Sequence, residues 1–235
     1  MKKNTIFLDT ETTGLFPPRD RIVELAIIDE SENILLNTLV NPQRIIPAQV
    51  INIHGINDEM VNLSPTLEEL LPRIQFIFQS IQRVIIYNAD FDTGFLPGDI
   101  WEDTEVTCCM KEFIFIFQEL EGHFSSKRFP LAKSFNVSTN RKIEELGKPH
   151  RALTDCLACS LVWKWCVNKR KIIDDPQWKK SGYRVNCSHC RRDTFHKFRP
   201  RYRDDLPKYY QCIECLQNNI SVTEMESILV HNKEE

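Results

Sequence analysis

Two carboxylates, Asp9 and Glu11, stand between the apolar run Ile6-Phe7-Leu8 and the polar segment Thr12-Thr13-Gly14. The run reads as a short buried strand. Side chains two apart on a strand share a face, so Asp9 and Glu11 project together from its end. Like charges on a partly desolvated surface repel one another and cost stability. A divalent cation removes that conflict, and oxygen donors suit Mg²⁺ or Mn²⁺. The plainer alternative is a strand running into a polar loop. Thr12 and Thr13 add hydroxyl and backbone N–H groups beside the acids, and Gly14 closes the segment with a turn.

Two more acids and a histidine occupy places from which such a site could draw them. Asp92 follows a strand at 83–87, in the first turn of a helix, where the helix dipole favours a carboxylate. Asp155 lies in the first turns of a long helix expected over 151–168, and His150 precedes it by five residues, after Pro149. Five helical residues turn through about 500°, so the two would not share a face if both were helical. His150 is therefore expected on the pre-helix loop, free to approach the acids. Imidazole is the side chain whose ordinary pKa suits taking a proton from water near neutral pH.

A second constellation lies near the C-terminus. Cys187-Ser188-His189-Cys190 and Cys212-Ile213-Glu214-Cys215 form CxxC…CxxC with 21 residues between the pairs. Thiolates so spaced suit tetrahedral Zn²⁺, with His189 and His196 as alternative ligands. Strands are expected at 194–199 and 208–211, which makes a zinc ribbon. A segment this short and polar builds no core without a staple. Residues 183–215 carry eight basic side chains against four acids, a local charge of +4 in a chain of net charge −3. The bases are interleaved with Phe195, Phe198, Tyr202, Tyr209 and Tyr210, which suits phosphate contact and base stacking. A solvated basic face that docks a protein partner is the alternative. Cys156-Leu157-Ala158-Cys159 is also CxxC, but it lies inside a helix with no second pair to match. It reads as two core thiols, as do Cys108, Cys109 and Cys166.

The elements that must position these groups read as α/β. The 235 residues suffice for one good-sized core and a small second module. A hydrophobic content of 42% and a charged content of 27% are ordinary for a globular chain. No apolar run approaches the roughly 20 residues of a membrane span. The start, Met-Lys-Lys-Asn-Thr, carries no signal-peptide apolar region. With nine cysteines read as thiols and metal ligands, the setting is cytoplasmic. Strands at 21–29 and 34–40 follow the first by hairpin connections. A short helix at 47–53 leads into a turn at His54-Gly55. Another helix opens on Thr66 with Glu69 three later, a capping box, and runs to about 81. Glu24 falls in a central strand and is given a packing or supporting role. An edge strand at 101–107, helices at 109–120 and 129–135, and a loop at 136–149 complete the pattern. Strands first, then alternating helix and strand, give a mixed sheet flanked by helices.

Taken in order, Asp9-Thr10-Glu11-Thr12-Thr13-Gly14, His54-Gly55-Ile56, Asn88-Ala89-Asp90-Phe91-Asp92 and His150-Arg151-Ala152-Leu153-Thr154-Asp155 resemble the motifs of the DEDDh (DnaQ-like) 3′–5′ exonucleases, with exonuclease X and proofreading subunits the most similar types. The likeness spans residues 4–168 and does not include the ribbon. It implies an RNase H-like fold and hydrolysis with two Mg²⁺ or Mn²⁺ ions. Asp9, Glu11 and Asp155 would hold the ion carrying the attacking water, and Asp9 would reach a second beside the leaving 3′ oxygen. Asp92 would complete the site and His150 would be the general base. Two cations about 3.5–4 Å apart stabilise both oxygens of an in-line displacement at phosphorus. Thr12 and Thr13 through their main chain, with Gly14, His54 and Asn88, would hold the terminal nucleotide. Asp90, an additional acid in the third motif, reads as a solvated helix-start residue. The expected substrate is single-stranded DNA or the frayed 3′ end of a duplex, with RNA as the alternative and a non-catalytic nucleic-acid-binding adaptor as the rival reading. The expected domains are 1–170, a linker at 171–182, the ribbon at 183–217, and a tail at 218–235 with a short helix at 222–231.

Overall fold

Strand β1 (Thr5–Thr12) is the axis of a five-stranded mixed sheet in the computed structural model, which describes residues 4–121, 128–175, 183–186, 193–196 and 229–230. Strands β2 (Ile22–Asp29) and β3 (Ile34–Leu39) add to one side as antiparallel hairpins. Strands β4 (Arg83–Ile86) and β5 (Glu105–Cys108) add to the other side in parallel. The order is β3-β2-β1-β4-β5. In β2, every residue from Ile22 to Ile28 is buried, as a strand covered on both faces requires.

The helices are α1 (Ala48–His54), α2 (Asp58–Val61), α3 (Leu67–Phe78), α4 (Ala89–Asp92), α5 (Cys109–Glu121), α6 (Leu131–Thr139) and α7 (Ala152–Ile173). The capping box forms as expected: Thr66 Oγ1 accepts the Glu69 N–H and Glu69 accepts the Thr66 N–H. Leu70, Ile74 and Phe78 of α3 then pack with Ile6, Leu8, Leu25, Ile27 and Ile86 in one core. The intervening residues Phe7, Ala26 and Ile85 are equally buried. On that face the Cys156 thiol of α7 donates to the Ala26 carbonyl at 3.4 Å. Cys109, Cys156, Cys159 and Cys166 are all buried thiols, so the helical CxxC is core material.

Four expectations shift. The helix placed at 129–135 is α6, which starts after Pro130 and continues to Thr139, where Asn140 ends it in the left-handed conformation. The loop expected from 136 therefore begins later and contains a single 3-10 turn, Ile143–Glu145, that buries Ile143. Strand β5 starts at Glu105, because Gly98–Trp101 forms a 3-10 turn first. Helix α7 continues past 168 to Ile173, with Arg170 and Lys171 in its last turn, where cations oppose the dipole.

The chain divides into two units, Met1–Ile114 with Lys127–Val167, and Phe115–Ser126 with Asn168–Glu235. In the second, β6 (Tyr183–Asn186) pairs antiparallel with β7 (Asp193–His196) and β8 (Leu229–Val230). Leu229 and Val230 are thus strand, where a helix over 222–231 was expected; both pair with β6, which offers them a ladder that a short terminal helix lacks. Cys187, Cys190, Cys212 and Cys215, and the strand expected at 208–211, lie outside the described residues. Among the described residues no helix is long and apolar enough to cross a membrane.

Candidate active site

The last half of β1 alternates as its sequence requires. Thr10 and Thr12 are buried, while Asp9 and Glu11 face the half-open side. Across the sheet, Thr10 donates both its N–H (3.1 Å) and its hydroxyl (2.7 Å) to Asp92 Oδ1. Asp92, at the end of α4, is thereby anchored to the strand that carries the other acids. It is 3% exposed. From the far end of the chain, His150 takes a left-handed backbone (φ 58°) two residues before α7 begins. That turn brings its ring, Glu11 and Asp155 together, with one donor atom of each within 4.8 Å of the others. The expected ligand set was Asp9, Glu11 and Asp155. The observed triplet joins two of these, Glu11 and Asp155, with His150, the expected base.

The electrostatics are those of crowded, poorly hydrated carboxylates. Burial, then Asp92, Asp155 and Glu11, push Asp9 well above the usual carboxylate range. Glu11 is raised to about 8 by burial and by Asp155, Glu24 and Asp92, with Arg151 opposing. Asp155 is raised to about 7 by burial, against the His150 backbone N–H bond that lowers it. Asp92 is raised to about 7 by burial, against its bonds from Thr10. Mutual elevation of this kind marks a site that holds protons until a cation replaces them. Asp155 Oδ1 is buried with no hydrogen-bond partner among the described residues. An orphaned carboxylate oxygen beside a second carboxylate and an imidazole fits a divalent cation.

The other expected residues are placed as follows. His54 ends α1, is 2% exposed, and accepts the Ile56 N–H at Nδ1 (2.9 Å), which puts its proton on Nε2. Burial lowers its pKa, opposed by the Thr12 backbone, and its Nε2 has no partner among the described residues. Asn88 occupies the position before α4 without a capping bond, so its amide is not used by the helix. Thr12 and Thr13, expected to offer main-chain groups, use their hydroxyls within the turn. Thr12 Oγ1 donates to the Gly14 carbonyl, and Thr13 exchanges bonds with Arg21 through both its N–H and its hydroxyl. Their side chains are committed to the turn. Gly14 is there for space: a Cβ would lie 2.4 Å from Asp20 Oδ2, the carboxylate that accepts the Phe16 N–H. Asp90 pairs with Lys111 on the surface at 2.8 Å, as a solvated acid does.

Two contributors carry no signal in the motifs, and a third acquires a partner that the sequence does not point to. Thr10 stands as the variable residue between two acids. Lys148 donates to the His54 carbonyl at 3.2 Å, linking the two histidine loops. Glu24 receives Arg151 as a bidentate ion pair. An acid inside an otherwise apolar strand is the available signal, since a buried carboxylate demands a cationic or N–H partner. A cavity of about 430 Å³ lined by Pro17, Arg19, Asn41, Arg44, Leu67 and Phe95 includes none of the five catalytic candidates.

A mixed sheet with this order, carrying an acid cluster at the end of its first strand, defines an RNase H-like nuclease architecture. The chain belongs to the exonuclease family: the family profile of that description (RNase T type) matches residues 6–162. It is 34% identical over 167 residues to an uncharacterised exonuclease of Escherichia phage 186, covering 66% of this chain and 84% of that one. It is 37% identical over 187 residues to the DNA polymerase III subunit epsilon of Rickettsia typhi, covering 73% and 79%. Two other relatives are much longer, and the chain spans 25% of one and 11% of the other. Among solved structures, exonuclease X in complex with 5′ overhanging duplex DNA superposes with a TM-score of 0.53 and 25% identity, covering 71% of this chain and 93% of that one.

Proposed function

We propose that the protein is a divalent-cation-dependent 3′–5′ exonuclease that removes nucleoside monophosphates from single-stranded or frayed DNA 3′ ends. The observation that carries this reading is the Glu11–His150–Asp155 triplet, with an Asp155 Oδ1 that has no partner among the described residues. The exonuclease X complex and the epsilon-subunit relative favour DNA.

Asp9, Glu11 and Asp155 would hold Mg²⁺ or Mn²⁺, with Asp92 closing the site behind them. Two such ions supply charge stabilisation to the attacking and leaving oxygens of an in-line displacement. The chain's own part is orientation and proton transfer. Thr10 fixes the Asp92 carboxylate, and the His150 backbone N–H fixes Asp155. The imidazole of His150, exposed at the mouth of the site, accepts the proton of the attacking water. His54 Nε2–H and the Asn88 amide are the donors left over to hold the terminal nucleotide.

The second unit is read as a zinc ribbon. Cys187 and Cys190 lie in sequence between β6 and β7, and a CxxC pair suits one half of a Zn²⁺ site. Cys212 and Cys215 supply the other half. Its excess of basic and aromatic residues suits the nucleic-acid strand. A protein partner is the outcome indicated if salt does not matter.

Digestion of 5′-labelled DNA and RNA oligomers with Mg²⁺, Mn²⁺ or EDTA tests the proposal. A descending ladder on DNA, abolished by EDTA, is expected. A preference for RNA changes the substrate class, and no cleavage of either leaves a binding adaptor.

A further inference from the structure

We infer that the Glu24–Arg151 ion pair is a latch that holds the His150 loop over the acid cluster, making Glu24 a positioning residue for the reaction. The inference rests on the nuclease reading of His150. Glu24 lies in β2, 3% exposed, and is the cross-strand partner of Glu11. Both its oxygens are engaged. Arg151 Nε donates to each at 3.0 Å, Arg151 Nη2 donates to Oε1 at 2.6 Å, and the Ala152 N–H donates to Oε2 at 2.8 Å. One carboxylate therefore grips both residues that follow His150 and caps the first residue of α7.

The grip matters because of what precedes it. His150 sits at φ 58°, a left-handed conformation that a non-glycine residue keeps only where its surroundings fix it. The surroundings fix it from three sides. Glu24 holds residues 151 and 152, the His150 N–H binds Asp155, and Lys148 ties the preceding residues to the His54 carbonyl at 3.2 Å. Of these, Glu24 is the one set in the sheet. Because Glu24 stands opposite Glu11, the latch references the histidine to the same ladder that carries the acids. A purely structural ion pair would serve the stability of α7 as a whole. A latch acts on residues 147–152.

The test compares the full-length protein with Glu24→Gln, Arg151→Ala and the double variant, by amide hydrogen exchange, steady-state kinetics on DNA and Mn²⁺ binding by electron paramagnetic resonance. Exchange of the His150 and Ala152 amides is expected to quicken about tenfold or more, with the second half of α7 unchanged. The value of kcat is expected to fall roughly 10- to 100-fold, as for a misplaced catalytic group, with KM and Mn²⁺ affinity held within about twofold. The double variant should lose no more than the worse single one, since both break one interaction. Unchanged exchange, a loss seen in KM or Mn²⁺ affinity instead of kcat, or losses that multiply overturn the latch. If Glu24→Gln does not fold, Arg151→Lys, which keeps the charge and loses the fork, carries the same comparison. If the wild-type protein cleaves nothing, the nuclease reading fails by itself, and the exchange data still decide whether the latch holds the loop.

Discussion

Glu11 and Glu24 are partners across the β1–β2 ladder, yet the sheet gives them opposite fates. Glu24 is neutralised by a bidentate arginine and a helix N-terminus. Glu11 stays in the acid cluster and is raised to about 8. One strand pair thus separates an acid that holds structure from an acid kept for a cation.

The same cluster makes stability depend on pH. Asp9, Glu11, Asp92 and Asp155 all have folded-state pKa values above their ordinary ones. Protons that stabilise the metal-free fold below the unfolded carboxylate range are given up as pH rises through about 7 to 8. Metal-free protein should therefore lose melting temperature steadily from about pH 4 to pH 8. Mg²⁺ or Mn²⁺ should restore it most at the alkaline end, releasing protons as it binds. Calorimetry in buffers of different ionisation enthalpy checks both. A flat melting profile without metal contradicts the crowding of these acids.

Removing one of the repelling carboxylates should separate stability from activity. Asp9→Asn is expected to raise the melting temperature of the metal-free protein by roughly 2–4 °C while abolishing cleavage. Thermal denaturation in EDTA, with a gel assay in Mg²⁺, measures the pair of effects. A lower melting temperature in EDTA would mean that Asp9 is held by partners instead of strained by neighbours.

Thr10 should matter for Asp92 alone. Thr10→Val keeps the shape and deletes the 2.7 Å bond from the hydroxyl. The expected cost is about 1–3 kcal/mol of stability. Loss of a bond that favours the charged carboxylate also raises the Asp92 pKa, so the pH optimum for cleavage should move upward. Denaturant titration and a pH–rate profile test this, and an unmoved profile detaches Thr10 from the site.

His150 should show the reverse split from a structural residue. At φ 58°, glycine is the residue with least backbone strain, so His150→Gly is expected to leave the melting temperature unchanged or higher. Its cleavage rate should fall by roughly 10²–10⁴, the usual share of a general base. A rate near wild type would move the proton-transfer role elsewhere.

The second unit makes a separate prediction. Native mass spectrometry should find one Zn²⁺ per chain, absent from Cys187→Ser or Cys212→Ser. Replacing Arg191, Arg192, Arg199 and Arg201 by alanine should weaken DNA binding and flatten its dependence on salt. The slope of log affinity against log salt should fall by about 0.7 for each phosphate no longer neutralised. An unchanged slope assigns the basic face to a protein partner.

How much was legible in the sequence follows from the range of each interaction. Asp9 and Glu11 were readable as a pair because strand alternation is local, and β1 obeys it residue by residue. The Thr66–Glu69 capping box was readable for the same reason. Asp92 and Asp155 could be named from ordered motifs, but neither Thr10's grip on Asp92 nor the curl of His150 has a local signature. The first spans 82 residues and the second turns on one backbone angle. The turn bonds of the Thr12 and Thr13 hydroxyls were not legible, because their partners at Gly14 and Arg21 meet them only once the turn has formed. Glu24 was recognisable as buried, while Arg151, 127 residues away, was hidden among motif residues.

The metal site faces its most direct trial in single-turnover cleavage of a 5′-labelled DNA strand by wild type and Asp155→Asn at saturating Mg²⁺. Wild type is expected to remove nucleotides from the 3′ end. The variant is expected to be slower on the order of a thousandfold, about 4 kcal/mol of transition-state stabilisation, with the fold intact by circular dichroism. Cleavage by Asp155→Asn at the wild-type rate would contradict the assignment of these acids to a catalytic cation.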